Sequence, residues 1–239
     1  MFKSPLRYLI RRLGYDIHRT QPPPVGIDWI RDLASLEPIR TSAAVFDVGA
    51  NVGLVSQRFR SALPASVAIH AFEPAYATFQ TLRDRLAGQP SVTCHCAALS
   101  NASRTARLFH GQNSQLNRLS PTGMLGDDTS EEVAVSTVDA VCAAAGIETI
   151  GILKTDTEGF DVPVLQGARG MFERQAVRAI VSEATLDRQS DWHTTFDDIR
   201  DYITPLGFDL YGIYDCERWG YHLKYCNAVF VHRDFFKGA

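Results

Sequence analysis

The stretch Val45-Phe46-Asp47-Val48-Gly49-Ala50-Asn51-Val52-Gly53 joins an apolar run to a glycine turn and then to a helical pattern. Ala43–Val48 reads as a short strand, and Val52–Leu63 as the helix after it. The same rhythm follows downstream. Val67–Phe72 is a second strand, Glu73-Pro74 opens a helical stretch to about Leu86, and Val92–Ala98 is a third strand. Ile150–Thr155 and Ala176–Glu183 are the fourth and fifth. Strands that alternate with helices imply βαβ units, a parallel sheet and right-handed crossovers. Two segments depart from this. Between Leu99 and Thr137, the short strands Ala106–Phe109 and Val133–Val135 flank a polar loop, Gly111–Ser130, long enough to suggest a binding or lid role. Near the C-terminus, a helix at Asp197–Thr204 precedes two strands, Phe208–Tyr214 and Asn227–His232, which suits an antiparallel edge on an α/β sheet.

Composition bounds the function. The chain has 239 residues, 24 Lys+Arg and 27 Asp+Glu, for a net charge of −3. A core of this size needs no disulfide staples, and the lack of a basic excess argues against a nucleic-acid binder. Cys94, Cys96, Cys142, Cys216 and Cys226 form no C-x-x-C pair and read as small core residues in a reducing, cytoplasmic setting. No apolar run approaches the roughly 18 residues of a membrane span. Charge is segregated only in residues 1–15, where Lys3, Arg7, Arg11 and Arg12 interleave with Leu6, Leu9, Ile10 and Leu13. This is a basic amphipathic helix rather than a signal peptide. It packs on its own domain, or it meets an anionic membrane face or a partner enzyme through residues 1–20. Pro22-Pro23-Pro24 make residues 1–25 an appendage with an extended connector, and the main domain, 26–239, starts at Gly26.

Three acidic motifs carry chemistry. The first turn is D-x-G-x-N-x-G rather than the dinucleotide pattern G-x-G-x-x-G. Asp47 at the strand end would repel a pyrophosphate and favour a cation such as the sulfonium of S-adenosylmethionine. A nicotinamide oxidoreductase fits the alternation and Glu73, but it lacks the third glycine. Glu73 lies 20 residues after Gly53, at the end of the next strand, where an acid can accept both ribose hydroxyls of an adenosine cofactor. Pro74 suits a helix start. In Lys154-Thr155-Asp156-Thr157-Glu158-Gly159, Asp156 and Glu158 project to one side of an extended strand end. Paired carboxylates there can cap a helix, act as a base, grip a hydroxylated substrate or hold a metal.

With these motifs in place, the sequence resembles the FkbM family of S-adenosylmethionine-dependent methyltransferases. The residues are VFDVGANVG (Val45–Gly53), AFEP (Ala71–Pro74), AALSN (Ala97–Asn101) and LKTDTEGFDVPVLQGA (Leu153–Ala168), and the likeness runs from Ala43 to Val231. Thr155 and Thr157 stand where that family usually has apolar residues, and Pro163 where a helical residue is common. The resemblance implies a seven-stranded, mostly parallel class I methyltransferase sheet, Rossmann-like, with an antiparallel C-terminal edge strand. It implies that Asp47, Gly49, Asn51 and Gly53 line the methionine and ribose side of the cofactor. Glu73 would hold the ribose, Ala97 and Ala98 would flank adenine, and Asp156 would face the reacting methyl.

The implied reaction is O-methylation, with a sugar hydroxyl of a bacterial glycan or glycoconjugate as the first choice of acceptor. A small natural product is the second, and a non-catalytic cofactor- or partner-binding protein the third. An alcohol acceptor gains from a base. The candidates are Asp156, Glu158, Glu183, His110 and His193; His222 and His232 read as structural. Asp156, Glu158 and Glu183 are also candidate Mg²⁺ ligands. Gln112, Asn113, Gln115, Asn117, Trp192, Trp219 and Tyr221 are candidate sugar contacts. The basic segment suggests an enzyme held at the inner membrane face or by a glycosyltransferase.

Overall fold

A computed structural model describes residues 26–109, 118–120, 130–188 and 193–235. The chain opens with α1 (Trp29–Ala34), started by Asp28, whose carboxylate accepts from the amides of Ile30 and Arg31. A short α2 (Glu37–Arg40) leads into β1 (Ala44–Val48). Then come α3 (Leu54–Ala62), β2 (Ala68–Phe72), α4 (Tyr76–Leu86) and β3 (Val92–His95). After an inserted segment the alternation resumes with α5 (Val138–Ala145), β8 (Ile150–Thr155), α6 (Asp161–Gln166), α7 (Arg169–Glu173), β9 (Val177–Thr185) and α8 (Phe196–Ile203). The chain ends in a long hairpin, β10 (Phe208–Trp219) and β11 (His222–His232).

Seven strands form one sheet in the order β10-β11-β9-β8-β1-β2-β3. β1 is parallel to β2 and β8, β8 is parallel to β9, and β2 is parallel to β3. β11 is antiparallel to both β9 and β10, so antiparallel pairing is confined to the C-terminal end of the sheet. This is the class I methyltransferase sheet that the motifs imply. β1 and β8 are buried at every position because helices cover both faces. One face packs Phe46, Phe72, Leu165, Met171 and Phe230. The other packs Leu33, Ile39, Phe59, Ile69 and Val229.

The inserted segment is a second, four-stranded sheet. Its strands are β4 (Ala98–Leu99), β5 (Arg104–Phe109), β6 (Arg118–Ser120) and β7 (Ser130–Ser136), in the order β4-β7-β5-β6. This corrects the third strand, expected to run from Val92 to Ala98. It stops at His95, and Ala98 instead pairs with Val135 in the small sheet. The hairpin is longer than its apolar pattern suggests, because its outer half is exposed and carries no alternation. Among the described residues no helix is long and apolar enough to cross a membrane. The five cysteines are free, and only Cys142 and Cys226 are buried; Cys96 and Cys216 are exposed rather than core.

Candidate functional site

A cleft of about 330 Å³ lies at the carboxyl ends of the parallel strands, where open α/β sheets bind ligands. The turn after β1 supplies Gly49 and Asn51, and the end of β2 supplies Phe72, Glu73 and Pro74. Ala97, Ala98 and Leu99 come from the crossing into the small sheet, with Leu108 beside them. Asp156, Thr157, Glu158 and Phe160 follow β8, while Glu183, His193 and Tyr225 close the far side.

The floor is built on a buried lysine. Lys154 Nζ lies 3.1 Å from Asp47 Oδ1 and 3.3 Å from Asp156 Oδ2, and it donates to the Gly49 carbonyl at 3.0 Å. Burial works against its charge, but Asp47 and then Asp156 more than offset this and hold it above the usual lysine range. Asp47 is fully buried, and its other oxygen accepts from Ser56 Oγ at 2.6 Å. Asp47 therefore sits beneath the cleft and does not line it. The charge read from sequence as facing a cationic ligand is taken by Lys154. Gly53 is also outside the lining: it starts α3 at φ 86°, packed so closely that a Cβ would meet Leu82 Cδ1 at 2.7 Å.

Glu73 does face the cleft, though only 5% exposed. Its Oε2 accepts from the Asn51 amide at 3.0 Å and its Oε1 from the Ala75 amide at 3.0 Å. Asn51 reaches this contact through a left-handed backbone, φ 48°. Burial pushes the Glu73 carboxyl up to about 7, although the two amides oppose the rise. Each oxygen retains an acceptor site, so a vicinal diol fits against it.

At the other side three carboxylates converge. Oxygens of Asp156, Glu158 and Glu183 lie within 4.8 Å of one another. Glu158 at φ 50° and Gly159 at φ 92° make the tight turn that presents them. Burial first, and then the charges of Asp156 and Glu158, push Glu183 up to about 8. His193 Nδ1 lies 3.5 Å from Glu158 Oε2 and 3.7 Å from Glu183 Oε2, and its ring packs on Tyr225 at 4.7 Å. So each carboxylate already faces a basic side chain, Lys154 or His193.

Thr155 and Pro163 find their reasons here. Thr155 Oγ1 and Ser182 Oγ share a buried hydrogen bond of 2.7 Å between β8 and β9. Pro163 falls in the first turn of α6, where a missing amide donor leaves no gap in the helix. Trp219 and Tyr221 sit at the exposed hairpin tip, outside the lining. His110, Gln112, Asn113, Gln115, Asn117 and Trp192 lie outside the described residues. The sequence reading missed Tyr225 and Phe160. Tyr225 carries no local signal, because register with β9 alone brings it to the cleft.

The cleft fits an adenosine sulfonium. It joins a glycine-turn backbone and a buried ribose-type carboxylate to a carboxylate-rich region across the sheet, and carboxylates favour a cation. The family comparison agrees. The model of the FkbM methyltransferase domain matches residues 47–221. The 31-O-demethyl-FK506 methyltransferase FkbM of Streptomyces tacrolimicus is 29% identical over an alignment of 177 residues, with 61% of this chain and 66% of that protein covered. The chain thus matches just under two thirds of that relative's length. Among solved structures, the O-methyltransferase TomG of Streptomyces achromogenes, in complex with SAM, is 12% identical with a TM-score of 0.48, covering 95% of this chain and 88% of that one. The magnesium protoporphyrin IX methyltransferase of Synechocystis PCC 6803, with bound SAM, is 12% identical with a TM-score of 0.44, covering 85% and 76%. With the family's motifs on the first, second and fourth parallel strands and its domain model spanning the sheet, the chain belongs to the FkbM family of S-adenosylmethionine-dependent methyltransferases.

Proposed function

We propose that this protein transfers a methyl group from S-adenosylmethionine to a hydroxyl oxygen, and that the acceptor is a sugar hydroxyl in glycan or glycoconjugate synthesis. The observation that carries this reading is the division of one cleft. Glu73 stands on the β2 side, and Asp156, Glu158, Glu183 and His193 gather on the β8–β9 side. When bound, S-adenosylmethionine supplies an electrophilic methyl on a sulfonium whose leaving thioether is already good. The protein therefore contributes mainly alignment. Glu73 accepts from the ribose hydroxyls, the turn at Gly49 and Asn51 offers the ligand its backbone, and Ala97 and Ala98 bring only small side chains to the adenine end.

On the acceptor side the carboxylates and His193 accept hydrogen bonds from hydroxyls, and Glu183 or His193 takes the proton. A carboxyl raised to about 8 is well matched to that task near neutral pH. Three carboxylates repel an anionic group and suit a neutral polyol. The relative's name, a demethyl-FK506 methyltransferase, favours a natural-product hydroxyl as the second reading. Because Lys154 and His193 already face the three carboxylates, no step is routed through Mg²⁺. Turnover lost in EDTA and restored only by Mg²⁺ would reverse that choice. The basic residues 1–20 suit contact with an anionic membrane face or a glycosyltransferase.

Calorimetric titration with S-adenosylhomocysteine, with NAD as control, tests the cofactor class. Binding is expected, and Glu73→Ala is expected to weaken it by roughly 1–3 kcal/mol, the scale of charge-assisted hydrogen bonds. No binding by folded protein, or binding of NAD instead, overturns the proposal. Acceptor screening with sugars and with macrolide-type alcohols then separates the two readings.

A further inference from the structure

We propose that Asp161 and Thr194 are positioning residues that hold His193 against Glu158 and Glu183 at the acceptor side of the cleft. The inference rests on the methyl-transfer reading only for what His193 does; the tether itself is a matter of geometry.

Asp161 is the first residue of α6, and its side chain is buried with only 2% of the residue exposed. A helix start does not require this, since an exposed cap serves as well. Burial pushes the Asp161 carboxyl up, the Asp156 charge adds to this, and the hydroxyls of Thr155 and Thr194 act the other way. A buried carboxylate is costly unless it makes specific contacts. One of its contacts is long-range: Asp161 Oδ2 accepts from Thr194 Oγ1 at 2.9 Å, across 33 residues of sequence.

Thr194 is fixed from a second direction. Its carbonyl accepts from the Thr185 amide at the end of β9 at 3.0 Å. Thr195 next to it forms a parallel bridge with Thr185 and caps α8, accepting from the Asp198 amide at 3.1 Å. The backbone just after His193 is thereby bound to β9, α6 and α8. His193 precedes this anchor directly, and its ring lies on Tyr225 with Nδ1 3.5 Å and 3.7 Å from the two glutamates. The anchor fixes the backbone from which the ring reaches the glutamates. A displacement of 1 Å matters at a reacting centre. The Asp of the E-G-F-D segment thus does its work on a residue that the motif does not contain.

The test uses the full chain and needs no acceptor. The imidazole C–H resonances of His193, assigned with His193→Gln, report its place over the Tyr225 ring by ring-current shift. Thr194→Val removes the hydroxyl at constant volume. It should move these resonances toward those of an unstructured histidine, while S-adenosylhomocysteine affinity stays within about twofold of wild type. Thr194→Ser should restore the wild-type resonances. Should Thr194→Val not fold, Asp161→Asn with Thr194→Ala removes the same contact and must show the same shift. Unmoved His193 resonances in a folded variant overturn the proposal, as does failure of Thr194→Ser to rescue. So does a parallel loss of more than tenfold in S-adenosylhomocysteine affinity, which would mark a general structural role. Failure of wild-type protein to bind S-adenosylhomocysteine would instead remove the methyl-transfer reading and leave the tether standing.

Discussion

At Gly49 the chain has no room for a side chain. The residue sits at φ 74°, and a Cβ there would lie 1.8 Å from the Asp156 carbonyl oxygen. Two penalties add in Gly49→Ala: a left-handed backbone for alanine and a collision with rigid backbone. Together they should cost roughly 2–4 kcal/mol in urea unfolding. Gly88 is the control, since it too sits at φ 74° but has nothing within 4 Å of a Cβ. Gly88→Ala should lose only the conformational part, roughly 1–2 kcal/mol. Equal losses at the two sites would show that the contact with Asp156 has no energetic weight. The Gly turn was legible in sequence as a close approach, because only a turn needs glycines there. What it approaches was not. Asp156 lies more than 100 residues away, and sequence spacing holds no information about that contact. The same limit explains Asp47. Its place at the strand end was legible, but its neutralisation by Lys154 requires knowing that β1 and β8 are neighbours in the sheet.

The alternation of strands and helices is a local property, so the main sheet was readable element by element. Of the helices that escaped notice, α5 and α1 carried capping signals. Thr137 caps α5, accepting from the Ala140 amide, and Gly146 ends it at φ 65°, a start and stop pattern without a strong apolar stripe between. Asp28 caps α1 in the same way. The end of β3 at His95 was not readable, because the small and apolar residues run on through the bend at Cys96 and Ala97 into β4, which belongs to the other sheet. Between elements, Lys154 acts as a bolt from β8 to the turn after β1. Lys154→Met should leave Asp47 buried and uncompensated, at a cost of about 3–5 kcal/mol. The double variant Asp47→Asn with Lys154→Met removes both charges and should recover most of that loss, as seen by urea unfolding in a double-mutant cycle. If the double variant is as unstable as the sum of the singles, the two side chains do not act as a pair.

Over the whole molecule, buried ionisable groups pull stability in opposite directions with pH. Glu73 rises from 4.5 to about 7 and Glu183 from 4.5 to about 8, in both cases chiefly by burial. Between those limits the folded chain binds protons that the unfolded chain has released, so stability rises as pH falls. For Glu73, which is 5% exposed, the full shift corresponds to about 3 kcal/mol. His70 behaves oppositely. Burial, and then the neighbouring His95, lower it from 6.5 to about 4, and the two rings share a 3.0 Å contact between Nδ1 and Nε2. His95 is lowered by burial as well. Between pH 6.5 and 4 the unfolded chain binds protons that the folded pair refuses, so here stability falls as pH falls. The opposing slopes overlap and largely cancel from about pH 4.5 to 6.5, but among the described residues nothing opposes the carboxylates from 6.5 to 8. Urea unfolding across this range should therefore show a broad top on the acid side and a decline toward pH 8. Replacing Glu73 and Glu183 with Gln should flatten the alkaline decline. Replacing His70 with Asn should instead leave that limb intact and make the protein more stable as pH falls from 6.5 to 4.5. The same sign carries to ligand binding. A cation seated in the cleft favours the ionised carboxylates. S-adenosylmethionine should therefore bind more tightly as pH rises through about 7, over the window in which the empty protein loses stability. Wild-type protein that instead gains stability from pH 6.5 to 8 would mean that Glu73 and Glu183 are ionised well below neutrality, and the acceptor-side base would then have to be His193.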